Sequence, residues 1–256
     1  MLSSELNVAL KPVKKLYFAS DFHFGIPDYA ASRAREVRVC QWLDHIKADA
    51  QQVYLMGDLY DAWMEYARVV PKGTVRFLGK LAELSDAGIE IIVFTGNHDL
   101  WMHGYFEQEL GARVYHEPCV LRVGEKRFYV GHGDGISPKE RKYKFLKAFL
   151  RHPLCQWLYR RIHPDTGVAI ADFFSRQGPK HKYQDLSMKS DSEEYQLSFA
   201  AHLLESEKID YFIFGHRHIP LEREMKSGAV FINLGDWISY DTYAEFDGQR
   251  TVLLKY

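Results

Sequence analysis

Asp21 and His23 stand two residues apart in "SDFHFG", directly after the apolar run "KLYFA". Side chains at i and i+2 of an extended segment leave the same face, so a carboxylate and an imidazole can converge on one point beyond a strand end. Oxygen and nitrogen donors that converge suit a divalent metal ion. By itself the fragment fits a turn carboxylate and a surface histidine just as well. Four further fragments of the same kind decide between the readings: "GDLYD" at 57–61, "GNHD" at 96–99, "GHGD" at 131–134 and "GHRH" at 215–218. Each follows an apolar run, and an α/β sheet gathers its ligand-binding loops at the carboxyl ends of its strands. Packing demands can supply one such fragment. Five in order, all carrying oxygen or imidazole donors, call for a metal site.

The residue types suggest two ions rather than one. Two divalent cations roughly 3.5–4 Å apart need a shared anionic bridge to offset their repulsion, and Asp58 is the candidate bridge. Asp21, His23 and one His of the last fragment would complete the first ion. Asn97, His132 and the other His would complete the second, and the spacing leaves open which of His216 and His218 serves which. Water or hydroxide held between the ions would be aimed at phosphorus, with no protein nucleophile required. His98, beside Asn97, is placed to donate to a phosphoryl or leaving oxygen, with Asp99 expected to fix its tautomer. The remaining histidines, His45, His103, His116, His152, His163, His181 and His202, lack such a setting and are read as non-ligands. Cys119 is read as strand core.

Apolar runs must place these loops. "KLYFAS", "QVYLMG" and "IEIIVFTGN" alternate with helical patterns near 31–48 and 73–87, and Val39, Trp42, Leu43 and Ile46 give the first helix an i, i+3, i+4, i+7 stripe. This is the pattern of βαβ units and a mostly parallel sheet covered on both faces. Later the texture turns antiparallel, with hairpins expected in "CVLRVGEKRFYVGHG", "REMKSGAVFINLGD" and "YAEFDGQRTVLLKY". Between Gly131 and Ile209 lies a long stretch with little strand character. Its Ser137–Ser190 part holds twelve Lys or Arg against four Asp or Glu, interleaved with Phe, Leu and Trp. It is expected to form a basic, amphipathic helical insert over about 136–205 of a single domain spanning 1–256, acting as an arm, a lid or a membrane contact.

The totals set bounds. The 256 residues are 46% hydrophobic, and the formal net charge of −1 gives no global field to hold nucleic acid. Three cysteines with no C-x-x-C spacing argue against a disulfide framework or a thiolate zinc site and suit a reducing compartment. No run approaches a membrane-spanning helix, and the first strand begins too soon after "MLSSELNVALKPV" for a secretion signal. The expected location is cytoplasmic, with the insert touching the inner membrane peripherally.

The five fragments together resemble the calcineurin-like metallophosphoesterase superfamily, whose pattern D-x-H, G-D-x-x-D, G-N-H-[DE], G-H and G-H-x-H is met at every position. That resemblance implies an α/β fold of two packed sheets flanked by helices (αββα). It also implies hydrolysis of phosphoester or pyrophosphate bonds with two divalent ions, Mn²⁺ foremost and Fe²⁺ or Zn²⁺ as alternatives. Asp21, His23, Asp58 and His218 would then hold one ion and Asp58, Asn97, His132 and His216 the other, while Asp61 would stand behind the ligands.

Within the superfamily, "GDLYDAW" and a helical insert after "GHGD" resemble the UDP-2,3-diacylglucosamine hydrolases of lipid A biosynthesis, which release UMP and 2,3-diacylglucosamine 1-phosphate. This implies a nucleotide-linked lipid substrate, an insert that closes over acyl chains, and contacts from Asn97, His98 and Tyr143 to the substrate. One position departs. Those hydrolases usually carry Arg in the third motif, and His98 cannot reproduce its bidentate fork on a pyrophosphate. The alternatives are another soluble phosphatase, phosphodiesterase or nucleotide pyrophosphatase of the superfamily and, from a different class, a scaffold without catalysis.

Overall fold

A computed structural model describes residues 5–137, 140–177 and 195–256. The parts of the expected insert at 138–139 and 178–194, and His181 with them, lie outside the described residues. Two six-stranded sheets form the body. The first runs in the order β12 (Thr251–Lys255), β11 (Thr242–Phe246), β2 (Lys15–Ala19), β3 (Ala50–Leu55), β4 (Glu90–Phe94) and β5 (Arg113–Tyr115). Helices α1 (Tyr29–Ile46), α2 (Val75–Asp86) and α3 (Tyr105–Leu110) are its crossovers, and β2 to β5 are parallel. The second sheet runs β1 (Glu5–Val8), β6 (Cys119–Val123), β7 (Lys126–Val130), β8 (Tyr211–Phe214), β10 (Val230–Leu234) and β9 (Pro220–Glu224).

Strand alternation builds the layers. In β2, Leu16 and Phe18 join an inter-sheet core with Tyr54, Ile92, Phe128 and Ile213, whereas Tyr17 and Ala19 face Val39, Trp42, Leu43 and Ile46 of α1. Both faces are thus covered, which is why these strands read as continuous apolar runs. On the far side of the second sheet, Phe212, Phe214 and Phe231 pack against Leu197 and Ala200 of α7 (Tyr195–Leu203). The order is helices, sheet, sheet, helix, the αββα arrangement expected.

The three hairpins form at β6/β7, β9/β10 and β11/β12. They do not, however, make one antiparallel block. β11 extends the first sheet antiparallel to β2, and the second sheet is mixed because β1–β6, β7–β8 and β8–β10 pair in parallel. β1, α3 and β5 escaped the sequence reading, being only four, six and three residues long; periodicity needs more residues than that to speak. Between β7 and β8 fall α4 (Arg141–Arg151), α5 (Pro153–Tyr159), α6 (Pro164–Gln177) and α7. Leu150, Tyr159, Val168 and Ala171 from α4 to α6 pack on Met64, Leu100 and Trp101, and the Trp101 indole N–H donates to the Leu150 carbonyl at 2.9 Å.

The seam between α1 and the first sheet has a single large anchor. Trp42 is fully buried, with its ring centroid 5.3 Å from that of Trp237 and 5.5 Å from that of Tyr243. Trp42→Ala is expected to lower stability by about 3–5 kcal/mol, measured by urea unfolding.

Candidate metal centre

The five chemistry-bearing loops leave the carboxyl ends of β2, β3, β4, β7 and β8. Parallel pairing within each sheet aligns those ends, and face-to-face packing brings the two edges together. Asp21 ties them: its Oδ2 accepts the His216 N–H at 3.0 Å, linking the loop after β2 to the loop after β8 in the other sheet. The approach is close enough that a Cβ on Gly215 would lie 2.5 Å from that same oxygen. Gly57 is needed likewise, since a Cβ there would meet the His132 ring at 2.6 Å.

The loops are also bent unusually. Eight non-glycine residues among those described have positive φ, and five of them are Asp21, His23, Asp58, His216 and His218. Such a backbone costs on the order of 1–3 kcal/mol per residue and persists where surrounding structure over-determines it. Here it turns ligand-type side chains back toward one another. Three groups are found among the described residues, Asp21 with His23 and His218, Asp58 with His132 and His216, and His23 with Asp61 and His98; within each, one donor atom per residue lies within 4.8 Å of the others.

Of the four imidazoles of His23, His132, His216 and His218, three face an oxygen with their other nitrogen. His132 Nδ1 lies 2.9 Å from the Met56 carbonyl, so its Nε2 faces Asp58 Oδ2 at 3.2 Å and Asn97 Oδ1 at 3.2 Å. His218 Nδ1 lies 3.2 Å from Asp236 Oδ2 and its Nε2 3.5 Å from Asp21 Oδ1. His23 Nδ1 faces Asp61 Oδ1 at 3.5 Å, with Nε2 at 3.7 Å from both Asp21 Oδ1 and Asp58 Oδ2. Orienting partners of this kind are typical behind metal-binding histidines. Asp236 was missed in the sequence although "FINLGD" carries the same signal as the other fragments, a Gly-Asp after an apolar run; it was absorbed into the hairpin reading.

Asp99 does not do what was expected of it. Its carboxylate accepts the backbone N–H groups of Gly96 at 2.6 Å, Leu59 at 2.8 Å and Asp58 at 3.4 Å, clamping the loop after β4 to the loop after β3. Burial and the nearby Asp58 charge raise its pKa to about 6, against the pull of those N–H groups. The His98 ring is held instead by Asp61, whose carbonyl lies 2.9 Å from Nδ1 and whose Oδ1 lies 3.7 Å away. The hydrogen bond and ion pair of the His98 ring among the described residues both run through Nδ1, and Nε2 is its other nitrogen. Tyr143, a half-buried residue of α4, donates its hydroxyl to Asp134 Oδ2, which also accepts from Lys147 Nζ at 2.6 Å.

The electrostatics ask for cations. Burial opposes charge on His23, yet Asp21, Asp61 and Asp58 push its imidazole up to about 10. Burial likewise opposes charge on His132, and Asp58 lifts it to about 10. Asp58, despite burial, is held well below the usual carboxylate range by His132, His98 and His23. His216, by contrast, is lowered to about 4 by burial and by His132, which suits a neutral ligand nitrogen. Asp21 Oδ1 and both ring nitrogens of His23 are buried without a hydrogen-bond partner among the described residues. Unpartnered buried donors and acceptors are costly. Carboxylate and imidazole atoms in this arrangement fit hard or borderline divalent ions, which would complete them.

The sequence matches the family model described as calcineurin-like phosphoesterase over residues 14–220. A UDP-2,3-diacylglucosamine hydrolase from Porphyromonas gingivalis is 38% identical over 253 residues, covering 93% of this chain and 96% of the relative. One from Pseudomonas fluorescens is 24% identical, covering 73% of this chain and 75% of the relative. Among solved structures, the E. coli phosphoesterase Yfce aligns at a TM-score of 0.47 with 15% identity, over 94% of this chain and 92% of that one. The chain belongs to the calcineurin-like phosphoesterase family, hydrolases of phosphate bonds that work with divalent metal ions.

Proposed function

We propose that the chain hydrolyses the pyrophosphate of UDP-2,3-diacylglucosamine to UMP and 2,3-diacylglucosamine 1-phosphate. The observation that carries this reading is the 38% identity to a hydrolase of that name, which runs over 93% of this chain. Asp21, His23, Asp58 and His218 would hold one ion and Asp58, Asn97, His132 and His216 a second, with Asp58 between them; Mn²⁺ suits the donor set. Divalent ions held there supply Lewis acidity for the phosphoryl oxygens and lower the pKa of water.

The protein's own groups do the rest. Asp61 fixes the His98 ring through Nδ1, so His98 Nε2 is the atom that, when protonated, donates to the phosphoryl or leaving oxygen. Met56, Asp236 and Asp61 face the outer nitrogens of His132, His218 and His23 and keep those rings turned inward. Asp99 keeps the loop bearing Asn97 and His98 in register with Asp58.

The helices between β7 and β8 suit a lipid substrate. Phe145, Leu146, Phe149, Leu154, Trp157 and Leu158 are each at least half exposed, and Arg161 lies over the Trp157 ring at 4.8 Å. With Arg141 and Lys142 exposed on α4, this face matches an anionic lipid surface. No helix among the described residues is long and apolar enough to cross a membrane. The proposal is therefore peripheral contact through an insert of a single domain, on the cytoplasmic face of the inner membrane.

His98 in place of the Arg usual in these lipid hydrolases favours a second reading, a phosphatase, phosphodiesterase or nucleotide pyrophosphatase acting on small esters. Incubation with UDP-2,3-diacylglucosamine and Mn²⁺ separates the two. UMP release with kcat/KM well above that for small esters, falling steeply as the acyl chains shorten, is expected; equal turnover of small esters without that dependence would overturn the lipid reading.

Asp58→Ala is expected to lose both ions and activity together, read by metal analysis alongside turnover. His98→Ala should keep its metal and lose roughly 10²- to 10⁴-fold in kcat. Flotation with vesicles containing anionic phospholipid should recover the wild type and leave Phe149→Glu behind; equal recovery of both would remove the membrane contact.

A further inference from the structure

Helix α4 lays a charged face along a cavity. Lys144, Lys147, Ala148 and Arg151 recur at i, i+3, i+4 and i+7, one helical face, and all four line a cavity of about 350 Å³ that also includes His132 and Asp134. The opposite face carries Phe145, Leu146 and Phe149, which are 77%, 50% and 56% exposed. A helix that merely covers a protein surface does the reverse, apolar side in and charged side out. A cationic stripe along a cavity is an arrangement for an anion.

Two of the three charges already have partners. Lys147 is held by Asp134 at 2.6 Å, and Arg151 is engaged by the Glu117 carboxylate and the His116 carbonyl. Lys144 forms no ion pair with a carboxylate among the described residues, and its stem passes beside Gly135. Pro118, Tyr129 and Ile136 give the cavity an apolar wall, and Thr95 Oγ1 with His116 Nδ1, 3.4 Å apart, gives it a polar edge. Its volume lies near the low end of the roughly 300–1,000 Å³ typical of small-ligand sites, matching one compact ligand rather than two acyl chains. The apolar faces of α4 and α5 lie elsewhere, so lipid and anion have separate surfaces.

We propose that this cavity is the subsite for the nucleoside monophosphate half of the substrate, with Lys144 on its phosphate and the base against Pro118 and Ile136. This rests on the reading that the substrate is a nucleotide-linked diphosphate. His132 belongs to both the cavity and the metal centre, so a phosphate at that end lies next to the bond to be cleaved. The nucleotide thus leaves toward α4.

The sugar phosphate product is the rival anion, and the test compares the two. Uridine monophosphate and glucosamine 1-phosphate are titrated calorimetrically into metal-loaded full-length wild type, Lys144→Glu and Ala148→Trp, the last of which fills the cavity without altering charge. Far-ultraviolet circular dichroism checks the folding of each variant. Affinity for uridine monophosphate is expected to fall about tenfold or more in both variants, with glucosamine 1-phosphate changed less than about threefold. Unaltered uridine monophosphate binding in both variants overturns the assignment, and so does a loss confined to the sugar phosphate. UMP release from the lipid substrate with unaltered nucleotide binding in the variants defeats the subsite alone. No such release, with the tenfold binding loss intact, defeats the catalytic reading alone.

Discussion

Asp21, Asp58 and Asp61 crowd one fully buried imidazole, His23, at 3.5–3.7 Å. That cluster is the constraint from which much else follows. Removing several charges from water is expensive, and their mutual attraction repays it only when every lone pair and proton finds a partner. Here they do not all find one among the described residues. The protein holds them together by force of architecture: two sheets packed face to face, with strand ends brought to a common edge and loops bent into left-handed backbone. Bound cations would return part of that expense as stability, since a ligand that binds only the folded state shifts the folding equilibrium toward it.

The same constraint explains why small residues and main-chain groups matter so much here. Gly57 and Gly215 leave no room for a Cβ because ligand side chains from a neighbouring loop occupy that space. Asp99, read as a catalytic partner, is a structural carboxylate whose three backbone donors hold two loops in one register. Asp61 and Asp236 are the residues that face the ring nitrogens. A division of labour emerges in which some carboxylates stand ready for cations, some orient imidazoles, and one binds main chain.

Much of this was legible in the sequence because the ligand types are few and their placement after apolar runs is periodic. The parallel strands and the three hairpins could be named from pattern, and so could Asp21, His23, Asp58, His132, His216 and His218 as donors that the fold gathers. Three things could not. Adjacent residues in a tight turn point apart, so proximity of Asp99 to His98 in the chain said nothing about contact; the partner came from Asp61, thirty-seven positions away. Left-handed backbone at Asp21, His23 and Asp58 leaves no compositional trace, because it is imposed by packing against resident propensity. The side on which α4 lays its charged stripe is equally silent, since a helical pattern gives two faces and only tertiary contact says which one looks inward.

Asp134 lies two residues beyond His132 in the same turn, and its carboxylate is grasped by Tyr143 and Lys147 from α4. Helix α4 is therefore tied, through one carboxylate oxygen, to the loop that carries His132. A shift of α4 would pull on that carboxylate, and with it on the turn that places the imidazole of His132.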